Sequence, residues 1–200
     1  MRSNALIVVD VQYDFCEGGS LAVVGGLGMA SRLAAALRDE AFVGRYDVLV
    51  TTQDWHIDPG AHFAAAGQVP DFQTSWPVHC VAGSDGARII AELDDAVAGI
   101  ETIPVIRVFK GHYSAAYSGF EGVTGDDERL LDRLRSDGVT DVDIAGIATD
   151  YCVKQTAIHA ADAGFGTTVL QDFAVGIDDA DVAALYASGF AAAGVSVRHR

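Results

Sequence analysis

The sequence predicts an α/β fold of three layers, a doubly wound, six-stranded, mainly parallel sheet with helices on both faces. Three observations predict it. Short apolar, β-branched runs alternate with longer segments of helical character, which is the pattern of a parallel sheet covered on both sides. The helical segments are each broken or followed by Gly, as helix C-termini are. The 200 residues are 50% hydrophobic and 20% charged, and a chain of this length hides roughly 70% of its unfolded surface, so one sizeable core needs no disulfide or structural metal. No linker, repeat or low-complexity block divides it, and residues 1–200 are expected to form a single domain.

The strands are expected, in order, at Ala5–Val11, Tyr46–Thr51, Ile103–Val108, Val142–Ile147, Thr167–Leu170 and Val195–Val197. Between them, helices are expected at about Leu27–Ala41, Asp126–Asp137, Asp150–Ala163 and Asp178–Ser188. One stretch, from about Gln53 to Ala82, escapes the pattern and holds His56, His62 and His79. Long ordered loops usually carry function.

Charge and cysteine usage narrow the function. With 13 Lys+Arg against 28 Asp+Glu, the formal net charge is −15. Such a surface repels phosphates and anionic lipid, so nucleic acid and membrane are not expected as partners, and a small or neutral ligand is. Cys16, Cys80 and Cys152 are odd in number and widely spaced, which indicates neither a disulfide framework nor a zinc ribbon. No basic-then-apolar leader opens the sequence and no run of about 18 apolar residues occurs, so a cytoplasmic location is the expectation.

Ligands of open parallel sheets bind beyond the carboxyl ends of the strands. Asp10 ends the first expected strand, Asp54 and His56 follow the second, Lys110 the third and Cys152 the fourth, at the start of a helix. A helix N-terminus and a nearby cation favour a thiolate, which is a nucleophile; a buried, inert Cys is the competing interpretation. Asp10 could exchange a proton with that thiol and with a leaving amine, and Lys110 could stabilise both anionic partners, which together is amide chemistry. Taken singly, each is equally a turn or surface residue.

Asp54 and His56 project to one side of an extended segment, and with His62 and His79 they form a nitrogen–oxygen donor set suited to zinc, iron or manganese. Turn-capping histidines that bind nothing remain the alternative. The GGLG at Gly25–Gly28 lacks the full dinucleotide-binding spacing, and neither a phosphate-binding P-loop motif nor the G-x-S-x-G of serine hydrolases occurs.

The runs DVQYDFCEGGSLAV, QDWHIDPGAHF, SWPVHC, FKGHYSAAYSGFEG and GIATDYCVKQTA, in this order, resemble the nicotinamidase/pyrazinamidase branch of the isochorismatase-like cysteine hydrolases across nearly the whole chain. The resemblance implies Asp10, Lys110 and Cys152 as the catalytic triad. It implies a divalent ion (zinc, iron or manganese) on Asp54, His56, His79 and His62. It further implies a cis Ile147-Ala148 peptide, an oxyanion hole from the N–H groups of Ala148 and Cys152, and an aromatic pocket of Phe15, Trp76 and Tyr117. The activity implied is hydrolysis of nicotinamide to nicotinate and ammonia through a Cys thioester, with pyrazinamide as a further substrate, by a monomer or small homo-oligomer.

The sequence departs from the family pattern in places. The segment after His62 is longer, which puts His62 in doubt as a direct ligand. Tyr151 stands where some relatives carry His, and His112 where a small residue is common; both bear on substrate access. Cys16 and Cys80 are expected to be packed thiols. Another small amide or carbamoyl substrate, or a non-catalytic metal-binding protein, is the alternative function.

Overall fold

The computed structural model describes residues 3–199. These residues form a seven-stranded sheet in the order β4-β3-β2-β1-β5-β6-β7, with β1 Asn4–Val9, β2 Val48–Asp54, β3 Val105–Lys110, β4 Val123–Thr124, β5 Asp141–Ile147, β6 Gly166–Val175 and β7 Ser196–Arg198. All pairings are parallel except that of β3 with β4. The helices are α1 Gly26–Leu37, α2 Glu40–Val43, α3 Ala91–Ala98, α4 Leu130–Ser136, α5 Lys154–Asp162, α6 Asp179–Ala184 and α7 Phe190–Ala192.

Strand β1 shows why both faces are covered, because its successive side chains enter opposite cores. Leu6 and Val8 pack with Met29 and Leu33 of α1 and Leu93 of α3. Ala5, Ile7 and Val9 pack with Leu130 and Leu134 of α4, Ala157 of α5 and Phe190 of α7. Each fully buried aliphatic side chain contributes about 1.5–3 kcal/mol relative to exposure. Two cores on one sheet make the three layers.

Seven strands replace the expected six. The addition, β4, is two residues paired with Val108 and Phe109, too short to show a period. Helix α3 was also not expected: its AELDDAVA buries only Leu93, Ala96 and Val97 behind an acidic face. Strand β2 runs past Thr51 to Asp54, and β3 to Lys110, with Asp54 and Lys110 in register. These side chains are polar yet buried, which makes a strand end read as loop.

Helix boundaries shift for local reasons. The segment expected as Leu27–Ala41 divides where the Asp39 carboxylate accepts from Ala41 N at 3.0 Å and starts α2. Asp126 lies in the turn after β4, where Thr124 N donates to Glu128 O at 2.8 Å, and α4 begins only at Leu130. The segment expected from Asp150 opens as a wide π turn, Thr149–Val153, before α5. The last segment continues through a second π turn, Leu185–Gly189, into α7. Among the described residues no helix is long and apolar enough to cross a membrane.

The chain leaves β1 towards β2 on one side and reaches β5 on the other, so the topological switch lies at the carboxyl end of β1. Gly146 helps to set that end. Its φ is +125°, it follows a register shift in β5, and a Cβ there would run into the Val9 backbone. Gly146→Ala is therefore expected to destabilise the fold by about 3 kcal/mol, from left-handed strain and overpacking. Urea denaturation would show this as a lower midpoint at unchanged slope.

Candidate active site

Each of these strand ends delivers a polar side chain into one crevice. The Lys110 ammonium is wholly buried. It lies 2.9 Å from Asp10 Oδ2, donates to Asp54 Oδ1 and to Ala116 O at 3.0 Å, and stands 3.8 Å from Cys152 Sγ. Asp10 sits just past β1 with φ +50°, a left-handed conformation unusual for a non-glycine residue. Its N–H donates to Thr52 O at 3.1 Å, and its Oδ1 accepts from Thr52 Oγ1 at 2.6 Å.

Burial and mutual charge set the protonation of this cluster. Burial raises the Asp10 pKa, Lys110 opposes the rise, and the Asp54 charge adds to it. Burial alone would lower the Lys110 pKa, but Asp10, Asp54 and Cys152 together hold it well above its ordinary value. Asp54 also overcomes its burial: Lys110 and His56 hold its carboxyl well below the usual range. The Cys152 thiol is pushed well up by burial, against the pull of Lys110. Cys152 lies inside the π turn and is buried, so burial works against the thiolate that a helix start and Lys110 favour, and a proton acceptor such as Asp10 has a role beside it.

The turn that carries Cys152 begins after a cis Ile147-Ala148 peptide. Ala148 O accepts from Tyr151 N and Val153 N, each at 3.0 Å. Neither the Thr149 nor the Asp150 side chain caps the turn. The Asp150 carboxylate instead accepts from Ile177 N and Asp178 N, at 3.0 and 2.9 Å, and ties the loop after β6 to the turn.

Above the sulfur is a cavity of about 430 Å³, its open mouth included, within the usual range for small-molecule sites. Phe15, Trp76, Tyr117 and Tyr151 supply aromatic walls, and Ala148 and Cys152 also line it. Trp76 Nε1 donates to Tyr117 OH at 3.1 Å, and the Trp76 and Tyr151 rings meet edge-on, 5.2 Å apart. Tyr151 is thus part of the wall, whereas His112 does not line the cavity; its carbonyl accepts from Ile57 N and Asp58 N.

On one flank His56, His62 and His79 come together, each with one nitrogen within 4.8 Å of the others. Short pairings do this: His56 bridges to Val81, bringing His79 alongside, and Phe63 bridges to Trp76, bringing His62 in. The residues between Phe63 and Trp76 form a loop closed by that bridge, and His62 stands beside the other two rings. Asp54 Oδ2 lies 3.7 Å from His56 Nε2 and 3.9 Å from His79 Nε2.

The donor set suits a divalent ion. His56 Nδ1 bonds Gly111 O at 2.6 Å and His79 Nδ1 bonds Pro77 O at 2.7 Å, which turns the other nitrogen of each ring into a lone-pair donor. His56 Nε2 and His62 Nδ1 are buried without a hydrogen-bond partner, an arrangement costly unless a ligand is held. Burial, with His79 and His56 adding, lowers the His62 pKa to about 4, and burial lowers that of His79. Neutral imidazoles are the form that binds metal.

The isochorismatase domain model matches residues 4–198 of the chain. The chain belongs to the isochorismatase family. It is 49% identical over 183 residues to the nicotinamidase/pyrazinamidase of Mycobacterium tuberculosis, covering 91% of this chain and 92% of that protein. The pyrazinamidase of Pyrococcus horikoshii in complex with zinc superposes with a TM-score of 0.78 at 33% identity, covering 99% of both chains. The yeast nicotinamidase bound to the inhibitor nicotinaldehyde gives 0.82 at 28% identity, covering 98% of this chain and all of that one.

Other features of this isochorismatase-family chain had no distinctive sequence signal. The Gln12 amide is buried between strand ends: Nε2 donates to Asp54 O at 2.9 Å and Ala87 O at 2.8 Å, and Oε1 accepts from Asp54 N at 2.8 Å. A polar residue after a strand gave no hint of this. At GGLG, the Glu17 carboxylate accepts from Gly25 N at 2.7 Å and Leu27 N at 2.8 Å, filling the anion position at the start of α1. Cys16 and Cys80 are free, buried thiols, Cys16 raised to about 12 by burial and Cys80 well above its ordinary value.

Gln12→Ala is expected to cost about 3 kcal/mol of stability, because it strands buried donors and acceptors on Asp54 and Ala87. Thermal unfolding would register the loss, whereas Gln12→Glu should fail to rescue it, since a carboxylate donates to neither carbonyl.

Proposed function

We propose that this chain hydrolyses nicotinamide to nicotinate and ammonia through a thioester on Cys152, and accepts pyrazinamide by the same route. The observation that carries this reading is the meeting of the Cys152 sulfur, which lines an aromatic-walled cavity, with the Lys110 ammonium and, through it, the Asp10 carboxyl. The names of the M. tuberculosis and yeast relatives support the same substrate class.

In this reading, Phe15, Trp76 and Tyr117 enclose the aromatic ring of the substrate and leave its carboxamide facing Cys152. Asp10 takes the thiol proton as the sulfur attacks the carboxamide carbon, and the carbonyl electron pair moves onto oxygen. The N–H groups of Ala148 and Cys152 receive that oxyanion, an interaction whose removal costs about 3–4 kcal/mol per donor in other enzymes. The C–N bond then breaks as Asp10 returns the proton to nitrogen, releasing ammonia. A water that loses its proton to Asp10 attacks the thioester, the C–S bond breaks, and the sulfur recovers a proton as nicotinate leaves.

The raised Asp10 pKa suits a group that must accept and return a proton. Lys110, held charged, favours the anionic sulfur beside it. His56, His62 and His79, with Asp54, would hold a divalent ion, zinc, iron or manganese. When bound, such an ion supplies an electrophilic anchor for a ring nitrogen or for a water.

Cys152→Ala should reduce ammonia release from nicotinamide by about a thousandfold or more. Undiminished turnover in that variant would remove the thioester route. Gly111→Ala should lower the metal content of the purified protein by elemental analysis. At φ +74° the position is already left-handed, and a Cβ would stand 2.6 Å from His56 Cε1. Metal content equal to that of the parent would show that the histidine cluster is not where the ion sits.

A further inference from the structure

Of the run FKGHYSAAYSGFEG, Lys110 and Tyr117 have roles in the proposed chemistry, whereas Ser118–Glu121 have none. Glu121 is exposed and is no part of the cavity wall. Its carboxylate nevertheless folds back on the chain: the single oxygen Oε2 accepts from Tyr117 N at 2.9 Å and from Ser118 N at 2.7 Å. Ser118 Oγ in turn accepts from Phe120 N at 3.1 Å, which completes a capping box around the 3-10 turn Gly119–Glu121. Gly119 N donates to Thr156 Oγ1 at 2.9 Å and pins the turn to α5, the helix behind the nucleophile.

The backbone held in this way carries two contacts of the site. Ala116 O accepts from Lys110 Nζ at 3.0 Å, and Tyr117 OH accepts from Trp76 Nε1 at 3.1 Å. An ammonium has three N–H groups; this one donates to Asp54 Oδ1, to Ala116 O and, at 3.8 Å, to Cys152 Sγ, and pairs with the Asp10 carboxylate at 2.9 Å. Ala116 O is the backbone member of that set, delivered by the loop after β3.

We propose that Glu121 is a positioning residue for this reaction. Through the amides of Tyr117 and Ser118, its side chain holds the Ala116 carbonyl on Lys110 and the Tyr117 ring against Trp76. The role rests on the function proposed above. Because one oxygen makes both bonds to neutral N–H groups, an acceptor at that point is required and a negative charge is not. Gln supplies the acceptor and Ala does not.

The test compares Glu121→Ala with Glu121→Gln in the metal-replete full chain, and repeats both in a Trp55→Phe background, where Trp76 alone emits. With nicotinamide, E121A is expected to lose about ten- to a hundredfold in kcat/KM at unchanged far-UV circular dichroism. KM should rise as well as kcat fall, which a smaller folded fraction cannot produce. E121Q should stay within about threefold of the parent. Trp76 emission should shift in E121A and not in E121Q. Parental kinetics and emission in E121A, or equal impairment in E121Q, would overturn the proposal. If the parent released no ammonia from nicotinamide, the proposed function would fail, and emission alone would decide the latch. A shift confined to E121A would retain it, and no shift would refute it.

Discussion

A lysine ammonium with no exposure to water is the constraint around which this molecule is arranged. Removing such a charge from water costs several kcal/mol even after relaxation, and the cost is offset only by close, well-directed partners. Lys110 has them in Asp10, Asp54 and the Ala116 carbonyl. Those partners come from the end of β1, the end of β2 and the loop after β3, so the parallel register of three strands is a condition of the cluster. Two carboxyls against one ammonium leave the group short of positive charge. That shortage, added to burial, raises the Asp10 pKa and so makes it receptive to a proton, and burial likewise raises that of the neighbouring thiol.

The histidine cluster is built by different means. Its three rings come from the long segment between β2 and α3, where isolated bridges at His56 with Val81 and Phe63 with Trp76 replace a continuous strand. Backbone carbonyls of Gly111 and Pro77 orient two of the rings. Asp54 joins the two halves of the site, with one oxygen on Lys110 and the other beside His56 and His79. The orphaned ring nitrogens of His56 and His62 are stable features of a buried site only if something binds them.

Much of the arrangement was legible in the sequence. The apolar runs located the six longer strands, because a strand buried on both faces has few alternatives to Val, Ile and Leu. What escaped was short or polar. Strand β4 has two residues, α3 presents an acidic face, and Thr52–Asp54 extend β2 with side chains that read as loop. Asp10, Lys110 and Cys152 could be named because reactive residue types stood at strand ends. Gln12, Thr52 and Glu121 could not, since ordinary polar residues give no sign of which distant backbone groups they will meet.

By itself, the sequence determined the six longer strands and four helical segments, which chemical groups are available, and that they gather at one edge of a parallel sheet; periodicity and strand ends are local properties that neighbouring residues dictate. Only the tertiary structure decided the direction in which burial shifts the sulfur and the acid, the closing of His62 onto the other two rings, and the inclusion of Tyr151 in the cavity wall. Those outcomes depend on desolvation and on distances between segments far apart along the chain, and neither exists until the layers have packed.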